Sequence, residues 1–149
     1  AQAVAGRGTC LRRNFGAIIV KTDQIMSTGY SGAPRGRRNC SDLGYCLREQ
    51  LQVPRGERYE LCRSVHAEAN AIINASRSEM IGGTLYLVGI DAKTRELVPD
   101  ANACSMCKRL IINAGLSRVL IRKSTSEFTA IYVQDWIEND ASLQGDSGY

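Results

Sequence analysis

The stretch TLYLVGIDAKTRELVPDANACSMCKRLIINAGLSRVLIR, residues 84–122, decides the fold. It opens on an apolar run, Thr84 to Val88, read as a buried strand. Ile90 to Asp100 is a polar excursion with a hairpin around Lys93–Glu96. Cys107 to Ala114 carries helical spacing and stops at Gly115, the residue type that closes a helix in the left-handed conformation. Arg118 to Arg122 (RVLIR) is a second strand. A strand, a helix and a strand in that order imply parallel pairing through a right-handed crossover.

Toward the N-terminus, Phe15 to Val20 (FGAIIV) and Ile25 to Tyr30 flank a polar turn and predict a hairpin. Ala67 to Ala75 (AEANAIINA) is a helix with Ala69, Ile72 and Ile73 as its apolar stripe, and Gly82-Gly83 separates it from the next strand. Residues 1–13 read as the end of a helix weakened by Gly6 and Gly8, and the start without Met leads to the expectation that the natural N-terminus is missing or incompletely represented. Val133 to Glu138 predicts a terminal helix, and residues 141–149 a frayed tail. The order is β-β-α-β-α-β, an α/β fold with a helix-covered mixed sheet. With 149 residues, close to the ~150 of a typical domain, residues 1–140 are expected to form one domain. The exception to this regular pattern is Ser31 to Cys62, punctuated by APRG and VPRG. A loop of about 30 residues needs an anchor, and this one holds Cys40, Cys46 and Cys62.

A composition of 44% hydrophobic and 23% charged residues is that of a globular protein and excludes a disordered chain. No apolar run approaches the ~20 residues of a membrane span, and no signal-like start is present, so a soluble, cytoplasmic protein is expected. The net charge of +4 is uneven: residues 1–63 carry 11 basic and 5 acidic side chains, residues 64–149 carry 8 and 10. Fifteen of the 19 basic residues are Arg, whose donor fork suits phosphate, although a solvated basic surface is the simpler reading. A charge this mild argues against polynucleotide binding.

Six cysteines, Cys10, Cys40, Cys46, Cys62, Cys104 and Cys107, accompany one histidine, His66. For a protein outside the secretory route, metal ligation is a better default than disulfides. Hydrolytic zinc takes three protein ligands and leaves a position for water. His66, Cys104 and Cys107 supply that number. A C-x-x-C at the first turn of a helix puts both sulfurs on one side, where the helix N-terminus favours thiolate. Glu68 cannot converge with His66 inside a helix, since i and i+2 lie ~200° apart. It can if His66 sits at the entry, outside helical geometry, and Glu68 then serves as proton carrier rather than ligand. H-x-E followed by C-x-x-C is the signature of zinc nucleobase deaminases.

The chain resembles the deoxycytidylate (dCMP) deaminase family, within the cytidine deaminase superfamily, over roughly residues 9–122. The resemblance rests on CLRR through FGAIIV, TGYSGAPRG, CLREQ, ERYELCRSVHAEANAI and CSMCKRLIINAG. It implies a three-layer α/β/α fold with a mixed five-stranded sheet between helices. The implied reaction is hydrolytic deamination of dCMP to dUMP, supplying thymidylate synthesis. Zinc-activated water attacks C4 of cytosine while Glu68 moves the proton to N3 and to the leaving amine. Ala67 would meet the base amine through its backbone, Phe15 would wall the base, and Ser31 would meet the deoxyribose. Apart from the resemblance, Arg12, Arg13, Arg35, Arg37 and Arg38 could hold one phosphate, with Arg13 and Arg35 the named candidates; by resemblance, Arg77 matches a position near effector and subunit contacts. The family is commonly a homohexamer, activated by dCTP and inhibited by dTTP, with Mg2+ accompanying the nucleotide.

Three positions depart from the family pattern: Ala103 stands where Pro precedes the first cysteine, Ser31 where Asn is usual, and residues 89–102 are longer and more polar. Cys10, Cys40, Cys46 and Cys62 form a complete set for a second, structural zinc, which some relatives carry, against the alternative of four buried free thiols. Residues 31–62 would then be a zinc-stapled insertion. Other readings are a deaminase of another cytosine nucleotide (dCTP or CMP) or of a tRNA or single-stranded base, and a catalytically inactive zinc-stabilised assembly protein. An aromatic content of 6% is thin for base stacking. Retention of Glu68 argues against an inactive scaffold.

Overall fold

The computed structural model describes residues 1–143, so positions 144–149 of the expected tail lie outside the described residues. Strands β1 (Arg13–Lys21) and β2 (Gln24–Tyr30) form the expected hairpin, turned by Thr22 and Asp23, both left-handed at φ 49° and 59°. β3 (Thr84–Asp91) lies antiparallel on the other side of β1 and parallel to β4 (Arg118–Arg122). A fifth strand, β5 (Phe128–Tyr132), closes the sheet antiparallel to β4, giving the order β2-β1-β3-β4-β5. The parallel step read from residues 84–122 is thus the centre of a mixed sheet.

Helices are α1 (Gln2–Ala5), α2 (Cys40–Leu43), α3 (Leu47–Gln50), α4 (Ala67–Ile73), α5 (Arg77–Met80), α6 (Ser105–Ala114) and α7 (Val133–Asn139). Alternation in the strands sends Ala17, Ile19, Leu85, Leu87, Val119 and Ile121 to one face, where they form the main core with α4 and α6. The opposite face is covered at one end by α1, whose Ala5 packs on Val88 and Ile90. Beyond α1 that face presents Tyr86 and Phe128 to solvent, so among the described residues the second helical layer is one short helix.

Two local readings change. The stretch between Ser31 and Cys62 is no plain loop but folds into α2, α3 and a 3-10 turn at Tyr59–Leu61. Ala141–Leu143 is also a 3-10 turn whose Leu143 packs on the core, so these three residues are not frayed.

Gly29 fixes how closely α4 sits on the sheet. A Cβ there would overlap the Ala67 carbonyl and the Ala71 amide, so only glycine lets the helix backbone lie directly on β2. Asn70 Nδ2 and Asn74 Nδ2 then donate to the Tyr30 and Thr28 carbonyls, at 2.8 and 3.0 Å, and fix the helix along the edge strand. Gly115 ends α6 at φ 77°, in the left-handed conformation expected from the sequence.

Candidate metal centre

His66 and Cys104 are the N-cap residues of α4 and α6. Both have extended backbone, at ψ 153° and 167°, so their side chains turn back across the helix ends instead of following the helix. Cys107 follows in the first turn of α6 and is buried. The Cys104 and Cys107 sulfurs stand 3.5 and 3.4 Å from His66 Nδ1. Among the described residues, these three form the group of metal-binding side chains whose donor atoms lie within 4.8 Å of one another. Bonds of about 2.3 Å to sulfur and about 2.0 Å to nitrogen at a tetrahedral centre separate S and N by about 3.6 Å. The observed spacing fits a zinc ion.

Glu68 is buried at 3% exposure in the first turn of α4, and its carboxyl faces the Cys107 thiol and the His66 ring. Burial pushes this carboxyl above the ordinary glutamate range, against the pull of His66. Cys104 is held well below the ordinary thiol range by a hydrogen bond from Cys107 and another from His66. Cys107 is correspondingly pushed up by that bond to Cys104 and by burial. For His66, burial acts downward, but the bond to Cys104 and the Glu68 charge leave its pKa raised. Two cysteine sulfurs and an imidazole share a small volume, a donor set that suits a divalent cation.

The residues named for substrate lie on neighbouring elements. Phe15, on β1, packs against the main core opposite Gly89, where a Cβ would come within 2.9 Å of its ring. Ser31 is buried directly after β2, and its Oγ accepts the Phe15 amide at 3.0 Å. Ala67 is fully buried at the first position of α4. The three arginines do not converge. Arg13 pairs with Asp100 at 3.9 Å, Arg35 donates to Asn74 Oδ1 at 2.9 Å, and Arg77 Nε donates to the Asn113 carbonyl at 2.9 Å.

Cys10, Cys40, Cys46 and Cys62 are all free thiols. They share one neighbourhood, since burial first, and then charge on Cys10, Cys62 and Cys46, pushes the Cys40 thiol up. Among the described residues they do not form a cluster as tight as the His66 triad. Two further residues, Tyr59 and Arg48, stand at the centre; both lie in stretches that carry the family resemblance, ERYELCRSVHAEANAI and CLREQ, but the residue pattern gives neither a role. The Tyr59 ring and the His66 imidazole are perpendicular, with centroids 4.9 Å apart and an interplanar angle of 87°, and Arg48 lies over the Tyr59 ring at 4.6 Å.

Three donors at two helix entries beside a buried carboxyl have the layout of a hydrolytic zinc centre, which leaves one coordination position for water. The same sheet and helices occur in cytidine deaminase from Burkholderia pseudomallei, with a TM-score of 0.58 over 91% of this chain and 88% of that one, at 16% identity. Residues 1–123 match the cytidine and deoxycytidylate deaminase zinc-binding region, and the chain belongs to that family of hydrolases. It is 38% identical over 130 residues to the deoxycytidylate deaminase of Mycobacterium phage D29, spanning 84% of this chain and 90% of that protein. It is 31% identical over 124 residues to the deoxycytidylate deaminase of Schizosaccharomyces pombe, where the match spans 83% of this chain and 35% of the yeast protein. No helix among the described residues is long and apolar enough to cross a membrane.

Proposed function

We propose that this chain is a zinc-dependent deaminase that hydrolyses dCMP to dUMP and ammonia. The observation that carries the reading is Glu68, a buried carboxyl set beside the donor triad but outside it. A structural zinc site has no use for such a group, whereas hydrolysis of an amine needs a proton carrier. Similarity to the phage deoxycytidylate deaminase over nearly its whole length supports the choice of nucleotide.

His66, Cys104 and Cys107 would hold the zinc, which when bound lowers the pKa of a water and readies it as a nucleophile. Glu68 takes a proton from that water and delivers it to N3 of the base, then carries the second proton to the departing amine. The C4–O bond forms, the C4–N4 bond breaks, and ammonia leaves. Phe15 walls the base, the Ala67 backbone meets the amine, and the Ser31 hydroxyl keeps its proton to donate toward the deoxyribose while accepting from Phe15.

A second zinc on Cys10, Cys40, Cys46 and Cys62 would staple the insertion, and their shared neighbourhood supports it. Effector nucleotides (dCTP, dTTP), with Mg2+ on their phosphates, would find cationic walls in an open cavity of about 790 Å³ lined by Arg12, Arg13, Lys93 and Arg95. Arg35 and Arg77 do not line it. On this reading residues 1–140 work as one domain in a cytoplasmic homo-oligomer, hexameric by family resemblance, and the dUMP feeds thymidylate synthesis.

Ammonia release over dCMP, CMP, dCTP, deoxycytidine and single-stranded oligonucleotides, with zinc per chain measured on the same sample, tests the reading. Turnover of dCMP well ahead of deoxycytidine supports it. No turnover of dCMP by zinc-loaded protein refutes it. Two zinc ions per chain would support the cysteine staple.

A further inference from the structure

Arg48 is an unusual residue to find inside the insertion. It lies on α3 at 6% exposure, and among the described residues no carboxylate pairs with it. Burial of an unpaired charge is costly, so a buried arginine needs a reason to be there. One nitrogen, Nη2, donates to the Pro54 carbonyl at 3.0 Å and the Glu57 carbonyl at 2.5 Å, which holds the guanidinium in place. Among the described residues its Nε has no hydrogen-bond partner. The guanidinium centre lies over Tyr59, which is presented by Arg58, a non-glycine residue held left-handed at φ 49°. The far side of this arrangement is His66, touched by the Tyr59 ring.

A zinc-ligating histidine ordinarily has its ring fixed by a hydrogen bond from the nitrogen that does not bind metal. Among the described residues His66 Nε2 makes no such bond. We propose that Tyr59, held by Arg48, is the positioning residue that replaces this bond, its perpendicular ring contact fixing the His66 imidazole so that Nδ1 faces Cys104 and Cys107. The insertion would then do more than cover the site, because its α3 and 3-10 turn would set the orientation of a metal ligand. A lysine is not equivalent to Arg48, whose planar guanidinium lies over the ring while its Nη2 bonds two carbonyls.

The inference rests on the zinc reading of the triad but not on the identity of the substrate. It is tested by zinc affinity, measured by competition with a chromogenic chelator, and by the visible spectrum of the Co2+ form, with the triad assigned as the metal lost in Cys107→Ser. Tyr59→Leu is expected to weaken zinc by about 10- to 100-fold and to shift the Co2+ bands, whereas Tyr59→Phe, which keeps the ring, stays within about three-fold of wild type. Arg48→Lys leaves the ring in place but unclamped, and is expected to lose about three- to ten-fold. Far-UV circular dichroism checks that each variant is folded. Wild-type affinity and spectrum in Tyr59→Leu would overturn the inference, as would a Tyr59→Phe variant as weak as Tyr59→Leu. A wild type that binds no metal at the triad would overturn the zinc reading and the inference with it. Protein that binds zinc, depends on Tyr59 and deaminates none of the nucleotides would leave the inference supported and the proposed substrate refuted.

Discussion

His66 and Cys104 hold the same post on different helices: each is the residue before the first turn, and Nδ1 of one lies 3.5 Å from Sγ of the other. The extended backbone of an N-cap lets a side chain cross the helix mouth, where the partial positive charge of the free N–H groups favours thiolate. With both helices packed on one sheet face, their two mouths make a cup. Glu68, two residues on and inside the helix, reaches the cup from its wall.

Glu68→Gln keeps the shape of the side chain and removes its ability to exchange protons. Ammonia release from dCMP is expected to fall by about 10²- to 10⁴-fold, the usual contribution of general acid–base catalysis. Zinc per chain, read by atomic emission, is expected to stay at the wild-type value because Glu68 lies outside the donor set. Retained turnover would remove Glu68 from the mechanism.

Gly29→Ala tests the seat of α4. The new methyl would overlap the Ala67 carbonyl and the Ala71 amide, which are helix backbone and cannot rotate aside. The helix must lift from β2, carrying His66 and Glu68 with it. A loss of about 1–3 kcal/mol in urea unfolding is expected, together with lower zinc content and activity. A variant with wild-type stability would mean that the helix is seated more loosely than this contact implies.

Much of this arrangement is legible in the residue pattern because the elements that build it announce themselves. FGAIIV and RVLIR are apolar and β-branched, Gly115 punctuates a helix, and H-x-E with C-x-x-C has one chemistry in common use. The residue pattern does not reveal β5 by itself, since Phe128 and Tyr132 are exposed on an edge strand and Tyr132 also caps α7. The helices α2 and α3 have four residues each, too short to show a period. Arg48 and Tyr59 sit in stretches that carry the family resemblance, but nothing in the pattern gives either of them a role. Their importance comes from a fold of the insertion that brings two positions eleven residues apart in sequence against the metal ligand.

The end of α7 depends on charge. Asp140 pairs with Lys108 of α6, both side chains being 14% exposed, and Lys108 also lies over the Trp136 ring at 5.4 Å. The Lys108 bond, and then one from Ser142, hold the Asp140 carboxyl below the usual aspartate range. A depressed pKa means stability that is present above the unfolded value of about 3.9 and lost as pH falls through the lower, folded value. Asp140→Asn is therefore expected to cost about 1–2 kcal/mol near pH 7, measured by urea unfolding, with the gap to wild type narrowing as pH falls below the ordinary aspartate value of about 3.9. A gap independent of pH would assign the effect to packing.

Ser31 stands where two demands meet. Its Oγ accepts the Phe15 amide at 3.0 Å, and its own amide donates back to the Phe15 carbonyl at 3.0 Å, so the hydroxyl completes a pairing between the start of β1 and the end of β2. Ser31→Ala leaves that amide without its acceptor in a buried setting, and a loss of about 1–3 kcal/mol is expected. The proton of the same hydroxyl is what the proposed sugar contact would use. Loss of one neutral hydrogen bond to substrate raises KM for dCMP by about five- to ten-fold while leaving kcat close to wild type. The two effects separate by measurement: urea unfolding reads the first and steady-state kinetics at saturating zinc reads the second. A stability loss with unchanged KM would confine Ser31 to holding Phe15 in place, and the deoxyribose would then be recognised by other groups.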